Sequence, residues 1–162
     1  ACVNRQLIAR RILQQVKASG HPVLDIAHNF VEACNIGGRQ GWLHRKGATP
    51  DNRGLAIVPG SRGDYSWLVQ PVPGDASLCS LAHGAGRKWM RTEWKFSPAQ
   101  LSRTDLGSRV ICRDKQLIYE EAPQAYKSVD SVIACLVQAG LVEPVARLRP
   151  VLTLKTRGGK SA

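Results

Sequence analysis

The chain has 162 residues, of which 43% are apolar and 22% are charged, and it carries a formal net charge of +11. This length and composition are those of a globular protein with one domain and its own hydrophobic core. No apolar run in the sequence approaches the ~20 residues that a membrane-spanning helix needs, so we expect no membrane partner. The excess positive charge favours a polyanionic partner, either a nucleic acid or a phosphorylated small molecule.

The five cysteines indicate neither a disulfide framework nor a zinc site. Their number is odd, and no two of them form a Cys-x-x-Cys pair. Free thiols in a reducing compartment fit this pattern best, which predicts a cytoplasmic location. No signal peptide is visible, and the sequence begins without methionine. We expect the chain to be part of a longer protein.

Apolar residues at helical spacing predict three helices, at residues 3–18, about 87–96 and 128–139. Ser128 is the predicted cap of the third helix, and Gly140 its stop signal. Short apolar runs predict strands at residues 23–27, 55–58, 65–69, 110–112 and 117–119, and an extended segment at residues 145–155. A turn is predicted at Gly37-Gly38. The sequence therefore predicts an α+β fold, with a sheet-rich core and flanking helices.

The stretch with the most chemically useful side chains is His83-Gly84-Ala85-Gly86-Arg87. Imidazole is both a nucleophile and a metal ligand near neutral pH. Glycines around Ala85 allow the backbone to pass close to a ligand and to turn its N–H groups toward an anion, and arginine is a natural partner of phosphate. This combination predicts phosphoryl or nucleotidyl transfer. The alternative is a tight loop with a surface histidine.

Other loops also carry groups that could bind a ligand. His28-Asn29 offers an imidazole and an amide, and the Pro-Gly break at residues 59–63 offers a serine hydroxyl and backbone amides. Residues 120–127 offer carboxylates, the aromatic ring of Tyr126 and an amine. Taken singly, each is more simply explained as an ordinary turn or a structural histidine.

Six segments together, in chain order, resemble the C-terminal part of the RtcB-type RNA ligases, the 3′-phosphate RNA splicing ligases. They are residues 25–29 (DIAHN), 44–49 (HRKGAT), 59–63 (PGSRG), 83–87 (HGAGR), 121–127 (EAPQAYK) and 148–151 (LRPV) with Lys155. The resemblance implies that residues 1–155 are the C-terminal portion of a single ligase domain whose N-terminal half is absent. Residues 156–162 would form a disordered tail.

The family's activity would make the whole protein a GTP-dependent and Mn²⁺-dependent ligase. It would join an RNA 3′-phosphate or 2′,3′-cyclic phosphate to a 5′-hydroxyl. His83 would be the catalytic nucleophile that carries a guanylyl group, and His28 a manganese ligand. The implied nucleotide contacts are Asn29, Pro59, Gly60, Ser61, Arg62, Ser66, Gly84, Ala85, Gly86, Tyr126 and Lys155. Among these, Tyr126 would stack on the guanine and Lys155 would contact the base.

The sequence departs from the family pattern after Ser61, where Arg62-Gly63-Asp64-Tyr65 stands in place of the usual Met and Gly-Thr-Ala. This departure favours a divergent branch with its own RNA substrate. The family's other metal ligands belong to the absent half, so we expect the chain alone to be inactive. Two alternatives remain open: a noncatalytic basic RNA-binding module, and a metal-dependent phosphohydrolase with His28 and His83 as ligands. The sequence does not specify the oligomeric state.

Overall fold

The computed structural model describes residues 2–90 and 103–156, without the side chain of Cys2. Its helices are α1 (Cys2–Gln15), α2 (Lys115–Glu120) and α3 (Val129–Gln138). Its strands are β1 (Asn29–Ile36), β2 (Arg39–Lys46), β3 (Ala48–Pro50), β4 (Ala56–Val58), β5 (Ser66–Pro71), β6 (Ser80–Ala82), β7 (Arg109–Cys112), β8 (Val142–Leu148) and β9 (Leu152–Lys155). Single 3-10 turns occur at Asp75–Ser77 and Pro123–Ala125.

Within residues 2–90 and 103–156, the strands form four small sheets. Strands β1 and β2 are an antiparallel hairpin, β3 pairs antiparallel with β6, and β7 pairs parallel with β9. The antiparallel order β4-β5-β8 makes a three-stranded sheet with a register shift between Leu68 and Val69. Gly37 and Gly38 connect the hairpin with φ values of 58° and 78°, which is the left-handed backbone that a two-residue hairpin turn requires.

The hydrophobic core lies between the three-stranded sheet and α3. Its buried residues are Ala56, Val58, Val69, Leu81, Ala85, Val129, Ile133, Leu136 and Val142. A polar contact fastens the same two elements, because Trp67 Nε1 on β5 donates to Asp130 Oδ1 on α3 at 2.9 Å. Ala85 belongs to this core, so the loop at residues 83–87 is anchored in the core by its middle residue.

The α+β fold and most of its predicted elements are confirmed. The first and third predicted helices correspond to α1 and α3, and three of the predicted strands to β4, β5 and β7. The glycine turn is confirmed as the β1–β2 connection. Within the described ranges, no helix is both long and apolar enough to cross a bilayer.

Two predicted strands are wrong. Residues 23–27 run as irregular chain between α1 and β1, where Val23 is 82% exposed and Ile26 is partly buried against the core. Asp25 instead pairs with Arg5 of α1 at 2.6 Å. Residues 117–119 lie in α2, because Asp114 caps that helix by accepting a hydrogen bond from the Leu117 N–H.

Other predicted boundaries also differ. Residues 87–90 form a bridge and bends rather than the start of a helix, and residues 91–96 lie outside the described ranges. The extended segment at 145–155 is interrupted at Arg149-Pro150, which separates β8 from β9. Ser128 holds the N-cap position of α3 but makes no capping bond. The carboxylate of Asp64 supplies that bond, since its Oδ2 accepts from the Val129 N–H at 2.9 Å. Of the predicted tail, only Thr156 is described.

Candidate functional site

His28 and His83 lie side by side at the surface. Their ring centroids are 5.1 Å apart, and their planes are inclined by 22°. Two backbone features create this contact. Strand β3 pairs with β6, and His83 directly follows β6. The N–H of Gly47, which directly precedes β3, donates to the carbonyl oxygen of His28 at 2.8 Å. Both side chains are exposed, so a ligand can reach them.

Gly47 lies so close to the His83 ring that a side chain at this position would crowd the imidazole. Its φ is +73°, and a Cβ at this position would be 3.2 Å from Cε1 and 3.3 Å from Nδ1 of His83. Asn29 Oδ1 accepts from the Gly47 N–H at 2.8 Å. Asn29, an implied nucleotide contact, therefore also fixes the glycine that borders His83.

The backbone after His83 connects two other loops of the predicted site. The Ala85 N–H donates to the Pro59 carbonyl at 3.0 Å, so this amide is engaged within the protein. A Cβ at Gly84 would lie 2.9 Å from the same carbonyl oxygen. The Gly86 carbonyl accepts from the Lys127 N–H at 2.9 Å. Residues 84–86 thus run between the Pro59 loop and the segment that carries Tyr126.

The loop at residues 59–66 is held in shape by its own side chains. The Gly60 N–H donates to Ser66 Oγ, and the Gly63 N–H donates to Ser61 Oγ, both at 3.3 Å. A Cβ at Gly60 would lie 2.1 Å from the Tyr65 carbonyl oxygen, and one at Gly63 would lie 2.6 Å from Pro123 Cγ. Glycine is therefore required at both positions if the loop is to keep this conformation.

A cavity of about 240 Å³ opens beside this loop. Its lining residues are Gly60, Ser61, Arg62, Glu121, Tyr126, Thr153 and Lys155. Five of these are implied nucleotide contacts, brought together from three separate parts of the chain. His28, Asn29, His83, Pro59, Ser66, Gly84, Ala85 and Gly86 are not among the lining residues. The predicted site therefore consists of a cavity and a separate histidine pair.

Glu121 is a central residue of the cavity that the sequence analysis did not single out. It is 9% exposed, and its Oε2 accepts from Tyr126 Oη at 2.5 Å and lies 3.5 Å from Lys155 Nζ. Its Oε1 lies 3.6 Å from Arg87 Nη1. Burial and the hydrogen bond to Glu121 raise the pKa of Tyr126. The sequence offered one signal for this role, the position of Glu121 at the start of the EAPQAYK segment.

Tyr126 has one face of its ring near a cation. The Arg87 guanidinium carbon lies 5.0 Å from the ring centroid, and Arg87 Nη1 contacts Tyr126 Oη at 3.2 Å. These contacts and the bond to Glu121 fix the ring in the cavity wall. A planar base can stack on a ring held in this way at little entropic cost.

Arg62 brings a buried positive charge to the cavity. It is 8% exposed, and its Nε and Nη1 have no hydrogen-bond partner among residues 2–90 and 103–156. Burial lowers the pKa of Arg62, while attraction to Cys112, Glu121 and Tyr126 opposes this shift.

The described residues do not form a complete metal site. Over ranges 2–90 and 103–156, no group of three or more His, Cys, Asp or Glu side chains is placed to hold a metal ion. His28 offers one imidazole, and an Mn²⁺ ion needs several further donors, preferably oxygen. These residues alone therefore do not fit Mn²⁺.

Comparison with known proteins decides the family. A family model described as tRNA-splicing ligase RtcB matches residues 1–156, nearly the whole chain. The chain belongs to the RtcB family. This confirms the resemblance of the six segments.

Several RtcB relatives are similar over most of this chain. The RNA-splicing ligase RtcB2 of Escherichia coli strain ATCC 25922 is 73% identical over 166 residues, which cover 99% of this chain and 44% of the relative. The RNA-splicing ligase RtcB of E. coli K12 is 32% identical, covering 93% of the chain and 36% of the relative. The tRNA-splicing ligase RtcB of Nanoarchaeum equitans is 34% identical over a segment that covers 96% of this chain and 39% of the relative. The chain thus spans less than half the length of these relatives.

Proposed function

We propose that this chain is part of an RNA ligase that joins a 3′-phosphate or 2′,3′-cyclic phosphate end of RNA to a 5′-hydroxyl end, with GTP as co-substrate. The observation that supports the proposal most directly is that hydrogen bonds connect the loop after His83 to two segments at the border of the cavity. The loop after His83 is hydrogen-bonded to the Pro59 loop and to the Tyr126 segment, both of which border the cavity. Membership in a family named for RNA ligation supports the same reaction.

In the first proposed step, a ring nitrogen of His83 attacks the α-phosphorus of GTP. A P–N bond forms, the P–O bond to the β-phosphate breaks, pyrophosphate leaves, and the ring proton passes to solvent. The exposed position of His83 allows this approach, and Gly47, where a Cβ would lie 3.2 Å from Cε1 of His83, leaves room for the ring.

Two further transfers complete the proposed reaction. An oxygen of the RNA 3′-phosphate attacks the guanylyl phosphorus, and the P–N bond to His83 breaks. The 5′-hydroxyl oxygen of the second RNA then attacks the activated 3′-phosphorus, which forms a phosphodiester, expels GMP and releases a proton. The positive charge of the chain (+11) favours the approach of both RNA ends.

We propose that Mn²⁺ is required, with His28 as one ligand and the others outside this chain. Such an ion neutralises charge on phosphoryl groups during transfer. On this proposal, residues 1–155 are the C-terminal portion of one ligase domain, and the chain spans only 44% and 36% of the length of two relatives. The chain by itself would then be inactive. A cytoplasmic location belongs to the same proposal.

A labelling experiment separates this function from its rivals. The full-length protein is incubated with GTP labelled at the α-phosphate and Mn²⁺, and acid-labile, alkali-stable label is measured on wild type and on His83→Ala. We expect label on wild type, none on His83→Ala, and wild-type label on the matched control His21→Ala, another exposed histidine. Salt-dependent RNA binding without label would indicate the binding module, and phosphate release without label the phosphohydrolase.

A further inference from the structure

Arg45 on β2 is a buried cation that lies outside the cavity. It is 5% exposed and is not among the residues that line the cavity. Its Nη1 pairs with the carboxylate of Glu32 on β1, its Nε donates to Ser80 Oγ at 3.0 Å, and its Nη2 donates to the Cys79 carbonyl at 2.9 Å. A buried charge needs such an ion pair and hydrogen bonds to be stable. One guanidinium therefore ties the β1–β2 hairpin to the start of β6.

The backbone to which Arg45 donates is strained. Leu78 and Cys79 have φ values of 53° and 48°, in the left-handed region that residues with a side chain rarely adopt. Ser80 Oγ, which accepts from Arg45, itself donates to the Leu78 carbonyl at 2.8 Å. The Cys79 carbonyl also accepts from the Asp51 N–H at 3.2 Å. Because a strained turn persists only where its surroundings fix it, the Arg45 contacts help to determine the path of this turn.

Both segments that Arg45 joins lead to the histidine pair. Strand β6, which begins at Ser80, ends one residue before His83. Strand β1 begins directly after His28, and Arg45 is paired in register with the second residue of this strand, Phe30. The donors of a guanidinium have a fixed planar arrangement, so the two segments are held at a defined separation. Arg45 thus acts on the backbone beside each of the two imidazoles, whose ring centroids are 5.1 Å apart.

Resting on the proposed function, we propose that Arg45 is a positioning residue for the guanylylation of His83. By fixing the turn at residues 78–80 to the β1–β2 hairpin, it holds the His83 ring beside His28 in the orientation for attack on GTP. The charge of Arg45 is paired with Glu32 and enclosed by protein. It therefore acts through the backbone that leads to His83, and not by touching the substrate.

This role predicts a loss of rate without a loss of GTP affinity. Other segments of the chain line the cavity, and the Arg45 partners Glu32, Cys79 and Ser80 are not among the lining residues. Displacing a reacting group by about 1 Å can lower a rate by about 100-fold. We expect Arg45→Met to lower the rate constant of guanylylation by about 10- to 100-fold, while the half-saturating GTP concentration changes by less than about 3-fold.

Single-turnover labelling of the full-length protein with α-labelled GTP and Mn²⁺ measures both quantities. The rate constant, the amplitude and the half-saturating GTP concentration are compared for wild type, Arg45→Met and Arg53→Met. Arg53 is the matched control, because its guanidinium also lies over the Phe30 ring and contacts Glu32, at 2.5 Å. Of the two arginines, only Arg45 donates to residues 79–80 in the described part of the chain. Arg53→Met should therefore keep the wild-type rate constant.

A wild-type rate constant in an Arg45→Met protein that is folded by circular dichroism would overturn the proposal. A lower amplitude with an unchanged rate constant, the result expected if Arg45 only stabilises the fold, would do the same, as would a loss confined to GTP affinity. All three results would leave the ligase function intact. Absence of label from wild type would overturn both proposals.

Ser80→Ala decides the matter if Arg45→Met does not fold. This variant removes one acceptor of Arg45 and leaves the ion pair with Glu32 in place. Loss of one hydrogen bond should lower the rate constant of guanylylation by about 2- to 10-fold, with the half-saturating GTP concentration unchanged. A wild-type rate constant would then overturn the role of Arg45.

Discussion

Gly47 and His83 lie so close together that a Cβ added at Gly47 would be only 3.2 Å from Cε1 of the imidazole. The glycine is placed there by the pairing of β3 with β6 and by Asn29, which accepts its N–H. A residue without a side chain thus borders the proposed nucleophile. The space that the ring occupies on this side therefore depends on the absence of a side chain at Gly47.

Gly47→Ala should therefore reduce guanylylation of His83 more than it reduces stability. The added methyl pushes on the ring, and the φ of +73° is strained for alanine by about 1 kcal/mol. Covalent labelling and chemical unfolding of the variant measure the two effects. Gly41→Ala is the matched control, because a Cβ there meets nothing within 4 Å. Normal labelling of Gly47→Ala would show that the contact does not position the ring.

Tyr126 should make stability depend on alkaline pH. Burial and Glu121 raise the pKa of Tyr126, so the folded state favours the neutral phenol over the phenolate. The resulting stability is fully present below the ordinary tyrosine pKa of about 10 and is lost as pH rises through the higher folded value. The free energy of unfolding, measured from about pH 8 to about pH 11, should fall more for wild type than for Tyr126→Phe. Equal slopes would contradict the pKa shift, and Tyr65→Phe is the control.

Part of this site could be predicted from sequence, because its residues sit in short segments with strong local signals. The helix α3 and the strands β4 and β5 follow from apolar spacing, and the loop at residues 59–63 from its proline and glycines. The contact of Gly47 with His83 could not be predicted, since β3 and β6 have three residues each and pair only through tertiary structure. The spacing of apolar residues alone cannot separate a short strand from a helical turn, which is why the sequence predicts a strand at residues 117–119 where the structure has α2.

The roles of the buried charged groups also could not be predicted from the sequence. Glu121 is one of two adjacent glutamates, and only burial and its contact with Tyr126 distinguish it. Arg62 appeared first as a departure from a family pattern, and its unpaired donors became visible only in three dimensions. Both properties depend on desolvation, which is set by packing between distant segments.

Gly60→Ala should disrupt the wall of the cavity. A Cβ would lie 2.1 Å from the Tyr65 carbonyl oxygen, so the backbone must move, at a cost of about 1–3 kcal/mol. We expect a lower free energy of unfolding together with weaker GTP binding, measured by denaturant titration and by calorimetry. Gly74→Ala, where a Cβ meets nothing within 4 Å, should leave both nearly unchanged. Wild-type GTP affinity in Gly60→Ala would argue against a role of this loop in binding.

Asp64 should stabilise α3 although it lies far from that helix in sequence. Its Oδ2 accepts from the Val129 N–H at 2.9 Å, and loss of such a cap costs about 0.5–2 kcal/mol. Asp64→Ala should therefore lower the free energy of unfolding by that amount. Ser128→Ala should have little effect, because the Ser128 side chain makes no capping bond. The reverse order of the two variants in thermal unfolding would refute this assignment.

The most direct test of the whole account is to map the covalent nucleotide by mass spectrometry. The full-length protein is incubated with GTP and Mn²⁺, digested under alkaline conditions that preserve a P–N bond, and its peptides are sequenced. The account predicts a single added GMP on His83, together with loss of the adduct in His83→Ala. An adduct on another residue, or unmodified His83 while RNA ends are still joined, would contradict it.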